Sequence, residues 1–223
     1  QDLQDLFGDG YLEIEQGIAK ELGFENLLEA PSQIYPRSID FEVVSSLLQI
    51  AAAPSNITIN IRIMSGYSLL SEGFGRDQVG SSAMPHKVNA RLSERVNGLT
   101  TILKGHLVMV QELLGNQWNE GDVSCSVVRR VALPDAFHAI DAILDTTMRI
   151  LADLAVDTES IYNEVKKHLP FLLTTKILAL AVKKGLGRED AHSLIKAHSI
   201  AASQNLKSKQ ENNLLALVAE DKR

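Results

Sequence analysis

The sequence predicts an all-α protein: a bundle of long helices followed by a small helical C-terminal domain. Two observations carry the fold class. Apolar residues recur at steps of three and four over two long stretches, 92–114 and 122–154, the spacing of one helical face. Past Val156 the same spacing breaks into short segments. Rods of that length suit a bundle. Residues 1–155 are therefore expected to form the central bundle domain and 156–223 a small helical C-terminal domain.

The elements follow in chain order. Residues 39–70 read two ways. Ile57, Ile59, Ile61 and Ile63 alternate with polar residues as a strand does, whereas Val44, Leu47, Leu48, Ala51, Ile57, Ile61 and Met64 also fit a helical face. The helix is preferred, with a break at Pro54, because an isolated strand would have no evident partner. Leu92, Val96, Leu99, Ile102, Leu103, Leu107, Val110, Leu113 and Leu114 then mark a helix from Ser93 to Leu114, stopped by Gly115 as a C′ glycine. It would be roughly 33 Å long at about 1.5 Å per residue.

The next rod starts at Asp122, a good N-cap. Its stripe is Val127, Val131, Phe137, Ile140, Leu144, Met148, Leu151 and Leu154, with Pro134 as a kink. Asp157 caps a helix over Thr158 to Lys167. Further helices run from Thr174 to Lys184, ended by Gly185, from Arg188 to Gln204, and over a frayed 214–219.

Composition narrows the class of function. Hydrophobic residues make up 45% and charged residues 22% of the 223, ordinary for a soluble domain. A net charge of −6 argues against a general nucleic-acid or anionic-membrane partner. The single cysteine, Cys125, allows no internal disulfide and fits a reducing cytoplasm as a small packing residue. The longest uncharged run, 43–61, carries Ser, Gln, Asn, Thr and Pro and is unsuited to a bilayer. Three aspartates and no cation in the first nine residues do not read as a signal peptide. The expected protein is soluble and cytoplasmic. The start at Gln1, without a methionine, reads as a fragment.

Three segments carry chemistry. Gly80-Ser81-Ser82-Ala83-Met84-Pro85-His86-Lys87-Val88-Asn89 holds two hydroxyls, an ammonium and an amide, and the glycines at 73, 75 and 80 let it act as a lid over an anionic ligand. The same residues also fit a polar connection between two helices. It lacks the Gly-Lys-Ser/Thr ending of a P-loop. Residues 76–95 contain four basic and two acidic side chains, a local surplus of cations in an acidic chain. That surplus favours a ligand with several carboxylate or phosphate groups, or else is a solvated helix start.

Third, Ser126 and Arg130 are four apart near a helix N-terminus, so they share a face suited to a phosphate, or they belong to an ordinary N-cap region. His106, His138, His168, His192 and His198 lack metal-ligand spacing, and neither a zinc site, a nucleotide-cofactor fingerprint nor a Ser/His/Asp triad is evident.

Gly80 to Lys87, with Asn89 and Ser93-Glu94-Arg95, resembles the signature of the adenylosuccinate lyase family in the fumarase/aspartase superfamily. So do 33–40 (Gln-Ile-Tyr-Pro-Arg-Ser-Ile-Asp), Gln117-Trp118-Asn119-Glu120, Arg129-Arg130-Val131 and Leu169-Pro170-Phe171. The similarity runs to about His198, and it implies a long-helix bundle of the fumarase/aspartase type over 1–155 that lacks its N-terminal part, with a truncated C-terminal domain over 156–223. Related carboxymuconate cycloisomerases carry a similar Met-Pro-His-Lys string. The resemblance implies that Ser81 is the general base, that Lys87 and Asn89 hold the carboxylate of the forming carbanion, and that Glu94 orients a histidine acting as general acid. It implies substrate binding by Gln33, Ser82, Met84, Arg95, Ser126 and Arg130, and fumarate release from adenylosuccinate and the succinyl-carboxamide ribotide of purine synthesis. It implies no metal or organic cofactor, and a homotetramer with shared active sites.

Two departures stand out. Ala90 replaces a proline and loosens the helix entry, and Gly121 replaces an arginine of the phosphate clamp. The family's general-acid histidine lies in an earlier block that has no counterpart here, so the chain alone is expected not to turn over substrate. Alternatives are another lyase or cycloisomerase of the superfamily, or a catalytically silent structural relative.

Overall fold

The computed structural model describes residues 2–28, 34–73, 89–118, 123–208 and 211–221. Among them the chain is almost wholly helical. It opens with α1 (Asp2–Phe7), a 3₁₀ turn at Gly8–Gly10 and α2 (Tyr11–Leu22), ended by Gly23 at φ +79°. Three long helices follow: α3 (Ser38–Gly66), α4 (Arg91–Gln111) and α5 (Val123–Asp153). The C-terminal helices are α6 (Thr158–Leu172), α7 (Thr174–Lys183), α8 (Arg188–Lys207) and α9 (Leu214–Glu220). Two strands, β1 (Leu70–Ser71) and β2 (Ala155–Val156), pair antiparallel with Leu70 opposite Val156. The all-α class holds.

The ambiguous segment is helical, and Pro54 does not break it. Proline removes one amide from the ladder, yet the neighbouring turn is held from outside: the Asn97 side-chain amide donates to the Ser55 carbonyl at 3.1 Å. Helical periodicity wins over the isoleucine alternation, and Ile61 is buried while Ile57, Ile59 and Ile63 are exposed. Leu70 is a correction to the helical reading, because it lies in β1. The partner that the sequence did not reveal is two residues of β2, far along the chain.

Several local signals act as read. Asp157 accepts from the Ser160 amide at 2.9 Å and caps α6, and its own amide donates to the Leu69 carbonyl at 2.9 Å, beside the β1–β2 pair. Gly185 takes a left-handed φ of +101° just beyond α7, the conformation glycine adopts without a Cβ clash; Gly115, at φ +69°, closes a turn after α4, which ends at Gln111 and not at the expected Leu114. Helix α6 continues through Pro170.

The stripe assigned to α5 is corrected. Of its large side chains only Ile140 is buried; Val127, Val131, Phe137, Leu144, Met148 and Leu151 are exposed. The inward face is built instead from Cys125, Ala132, Ala136, Ala139, Ile143 and Ile150. Small residues let helices approach closely, so the face with the larger apolar side chains is not the one covered within this chain.

Contacts divide the chain into two compact units, Gln1–Ser55 with Val96–Asp145, and Asn56–Arg95 with Thr146–Arg223. In the first, Val44, Leu47 and Ala51 of α3, Val96, Leu103 and Val110 of α4 and the small residues of α5 are buried. In the second, α8 packs against α7 and α9, and α6 touches both of the same helices. Ala191, Leu194, Ile195, Ala202 and Leu214 supply the buried positions there.

Candidate active site

In the second unit the start of α4 sets the geometry. Its first free amides need acceptors, and a distant carboxylate supplies them. Glu72, buried, accepts from the Leu92 amide at 2.9 Å and from the Ser93 amide at 2.6 Å. A carboxylate at this end also meets the positive pole of the helix. The residue at 90 is buried, the Glu94 amide donates to its carbonyl at 3.0 Å, and the Arg91 amide donates to the Asn89 carbonyl at 2.8 Å. Helix entry at Ala90 is thus held by backbone hydrogen bonds on both sides of the residue.

Asn89 and Glu94, brought one turn apart by this entry, line one open cleft of about 550 Å³. Its other walls are Ala90 and the α3 end with the turn beyond it, from Ile59 and Arg62 to Ser68. A carboxamide, a carboxylate and the Arg62 guanidinium therefore share a cleft with apolar backing from Ile59 and Ile63. Such a site can hold an anionic group while placing an acceptor beside it. Arg95 is exposed on the next position of α4.

In the first unit the start of α5 carries Ser126, half-buried, and Arg130, exposed. Between them Arg129 turns toward α3. Its Nε donates to Asp40 Oδ2 at 2.7 Å, and its Nη2 donates to the Tyr35 hydroxyl. Tyr35 in turn donates to Asp40 Oδ1 at 2.7 Å. Burial, then the Asp40 hydrogen bond, hold the Tyr35 phenol above its ordinary pKa of 10.0, so it stays a donor. Arg37, 5% exposed, lies 3.8 Å from Asp40 Oδ2, and its amide donates to Gln117 Oε1 at 3.3 Å. The guanidinium carbons of Arg37 and Arg129 sit 4.9 and 5.1 Å from the Tyr35 ring centroid.

Tyr35, Arg37, Asp40 and Arg129 stand within the family-like motifs without a role that spacing would assign, and Glu72 stands in none of those motifs. The contact partners lie 20 residues away for Glu72 and 89 for Asp40, beyond any local spacing rule. Gln33, Ser81, Ser82, Met84 and Lys87, together with the rest of 74–88, Gly121 and the Asp122 cap, lie outside the described residues. Among the described residues no group of His, Cys, Asp and Glu is arranged to hold a metal ion, and no helix is long and apolar enough to cross a membrane.

Comparison with known proteins adds an independent line. Residues 170–223 match the family described as adenylosuccinate lyase C-terminus. The adenylosuccinate lyase of Schistosoma mansoni is 32% identical over 92% of this chain and 43% of its own length. That of Saccharomyces cerevisiae is 31% identical over 93% of this chain and 43% of its own, and that of Pyrococcus horikoshii 31% identical over 97% and 47%. The chain thus spans less than half the length of these curated relatives.

Among solved structures, the 3-carboxy-cis,cis-muconate lactonizing enzyme from Pseudomonas putida superposes with a TM-score of 0.73 at 20% identity, over 96% of this chain and 46% of that one. A fumarate lyase from Mesorhizobium sp. BNC1 gives 0.71 at 16% identity, over 95% and 45%. At such identities the likeness is one of fold.

Proposed function

We propose that this chain, a relative of the adenylosuccinate lyases, is the part of such a lyase that carries its general base and much of its substrate clamp. The reaction is β-elimination of fumarate from adenylosuccinate, leaving AMP, and from succinyl-aminoimidazole-carboxamide ribotide. The observation that carries this reading is Asn89 and Glu94 on one cleft, directly downstream of the Gly80 to Lys87 motif and within a sequence similar to adenylosuccinate lyases along nearly its whole length.

Each step then has a residue. Ser81 Oγ takes the proton from the carbon beside a succinyl carboxylate. The electron pair of that C–H bond moves onto the carboxylate, where Lys87 and Asn89 stabilise the growing charge. It returns to form the carbon–carbon double bond as the C–N bond breaks, and the departing nitrogen receives a proton from a histidine that Glu94 orients. A serine is a weak base in water, so exclusion of solvent and nearby cations must favour its alkoxide. Gln33, Ser82, Met84, Arg95, Ser126 and Arg130 hold the succinyl and phosphate ends. The elimination transfers no electrons to an acceptor, so side chains suffice for the chemistry.

The same reading makes residues 1–155 the central bundle domain and 156–223 the C-terminal one, in a cytoplasmic homotetramer. Full-length protein supplied with adenylosuccinate is expected to release AMP and fumarate, and Ser81→Ala to lower kcat by at least ~10², the lower range for a lost general base. Absence of fumarate at every pH tested overturns the reading; an unchanged Ser81→Ala rate overturns the role of the serine.

A further inference from the structure

We propose that Arg129, locked by Asp40 and Tyr35, is a positioning residue that sets the direction in which Ser126 and Arg130 meet the substrate. The inference rests on the binding role given to those two residues above. Arg129 and Arg130 are adjacent, yet one faces α3 and the other is exposed. Successive helical side chains are rotated by about 100°, so fixing Arg129 fixes the azimuth of its neighbour. Ser126, four residues before Arg130, lies on the same side as Arg130.

The lock engages both oxygens of one buried carboxylate. Asp40, 2% exposed, gives Oδ2 to Arg129 and Oδ1 to Tyr35, and the Tyr35 oxygen accepts from the other arm of Arg129. This closed triangle ties the first turn of α3 to the early turns of α5, with Arg129 89 positions after Asp40. A buried ion pair is a modest source of stability, but it enforces one geometry because a rotated helix would strand a charge. The planar fork of arginine can serve a carboxylate and a phenol together; a lysine ammonium has no such fixed fork. Arg37 adds a second guanidinium beside the same carboxylate, and among the described residues its Nε and Nη1 form no hydrogen bond. The cluster therefore holds two guanidinium groups to one carboxylate.

Steady-state kinetics of the full-length protein on adenylosuccinate test this in two backgrounds. Arg129→Lys and Tyr35→Phe are made in the natural sequence and in Arg130→Ala, with circular dichroism and thermal melts confirming that each variant folds. In the natural background KM should rise about tenfold with kcat within about threefold, the signature of lost binding rather than lost chemistry. In Arg130→Ala the same substitutions should raise KM by clearly less, about threefold at most, because only Ser126 is left for them to misplace. Equal effects in both backgrounds, or an unchanged KM in the natural one, overturn the positioning role. An unchanged KM in Arg130→Ala alone instead overturns the binding role, and the positioning role falls with it. Should Arg129→Lys fail to fold, Tyr35→Phe, which leaves the ion pair intact, decides between the same outcomes.

Discussion

Glu72 closes the start of α4 by accepting the Ser93 amide at 2.6 Å, with a second bond from Leu92 at 2.9 Å. One buried carboxylate therefore anchors the helix that presents Asn89 and Glu94, from a position 20 residues before Leu92 in sequence. Charge-assisted hydrogen bonds of this kind are worth about 1.5–3 kcal/mol, and lost caps cost about 0.5–2 kcal/mol. Glu72→Ala should lower unfolding free energy by about 1–3 kcal/mol, with Glu72→Gln losing less because one oxygen remains. Amide hydrogen exchange should accelerate at Leu92 and Ser93 and stay unchanged in the middle of α5. Unaltered protection at those two amides would show that the cap is not what holds the helix start.

Gly73, next to Glu72, sits at φ +79°, and a Cβ built there would lie 2.5 Å from the Asp153 carbonyl oxygen and 3.0 Å from its Cβ. Both the left-handed backbone and the contact with another segment's main chain exclude a side chain. Gly73→Ala should cost about 1–3 kcal/mol, the scale of a strained non-glycine residue. Urea denaturation monitored by circular dichroism gives the value; a change under about 0.5 kcal/mol, the range of an unremarkable surface substitution, would mean that the chain shifts there at little cost.

What could be read from the sequence divides along the same line between local and distant. The Asp157 cap and the Val96, Leu103 and Val110 positions of the α4 stripe are written within a few residues and are found where their spacing puts them, whereas Ile102 of the same stripe is exposed. On α5 the reading chose the wrong side. Ranking side chains by apolar size favours Phe137, Leu144 and Met148, whereas close helix packing uses Ala132, Ala136 and Ala139. The β1–β2 pair, the Glu72 cap and the Asp40–Arg129 link join residues far apart in the chain, and no periodicity records them. Of the candidate site, Asn89 and Glu94 came from the motif, while the groups that hold Ser126, Arg130 and the α4 start came only from the fold.

Asp157 gives a pH dependence with a definite sign. The Ser160 amide, donating to its carboxylate, holds its pKa below the ordinary 3.8. Its folded pKa is depressed, so the cap's charge-dependent stability is fully present above the unfolded value and is lost as pH falls through the folded one. Asparagine is a comparable N-cap without the charge. Wild type should therefore be the more stable in urea at pH 6, and its advantage over Asp157→Asn should shrink steadily once the pH drops below about 3.8, the unfolded reference. A difference that stays constant down to pH 2 would remove the carboxylate's charge from the account.

Phe137, Leu144, Met148 and Leu151 are exposed at 52%, 42%, 66% and 45%, and at about 100° per residue they fall within about 60° of arc on α5. A narrow stripe of large apolar side chains on a long helix, opposite a face already filled by alanines, is the geometry of a helix seam. In the proposed tetramer it is the natural surface for another subunit's helix. Covering one such side chain is worth about 1.5–3 kcal/mol. Phe137→Asp combined with Met148→Lys should then weaken assembly by about 3–6 kcal/mol, roughly 10²–10⁴ in the association constant. Because neither position is buried within the chain, the secondary structure should survive. Sedimentation of the full-length variant should show a species smaller than the wild type at micromolar concentration. If both proteins sediment identically, the stripe is not the subunit interface, and the cover for α5 must be sought in another segment of the same polypeptide.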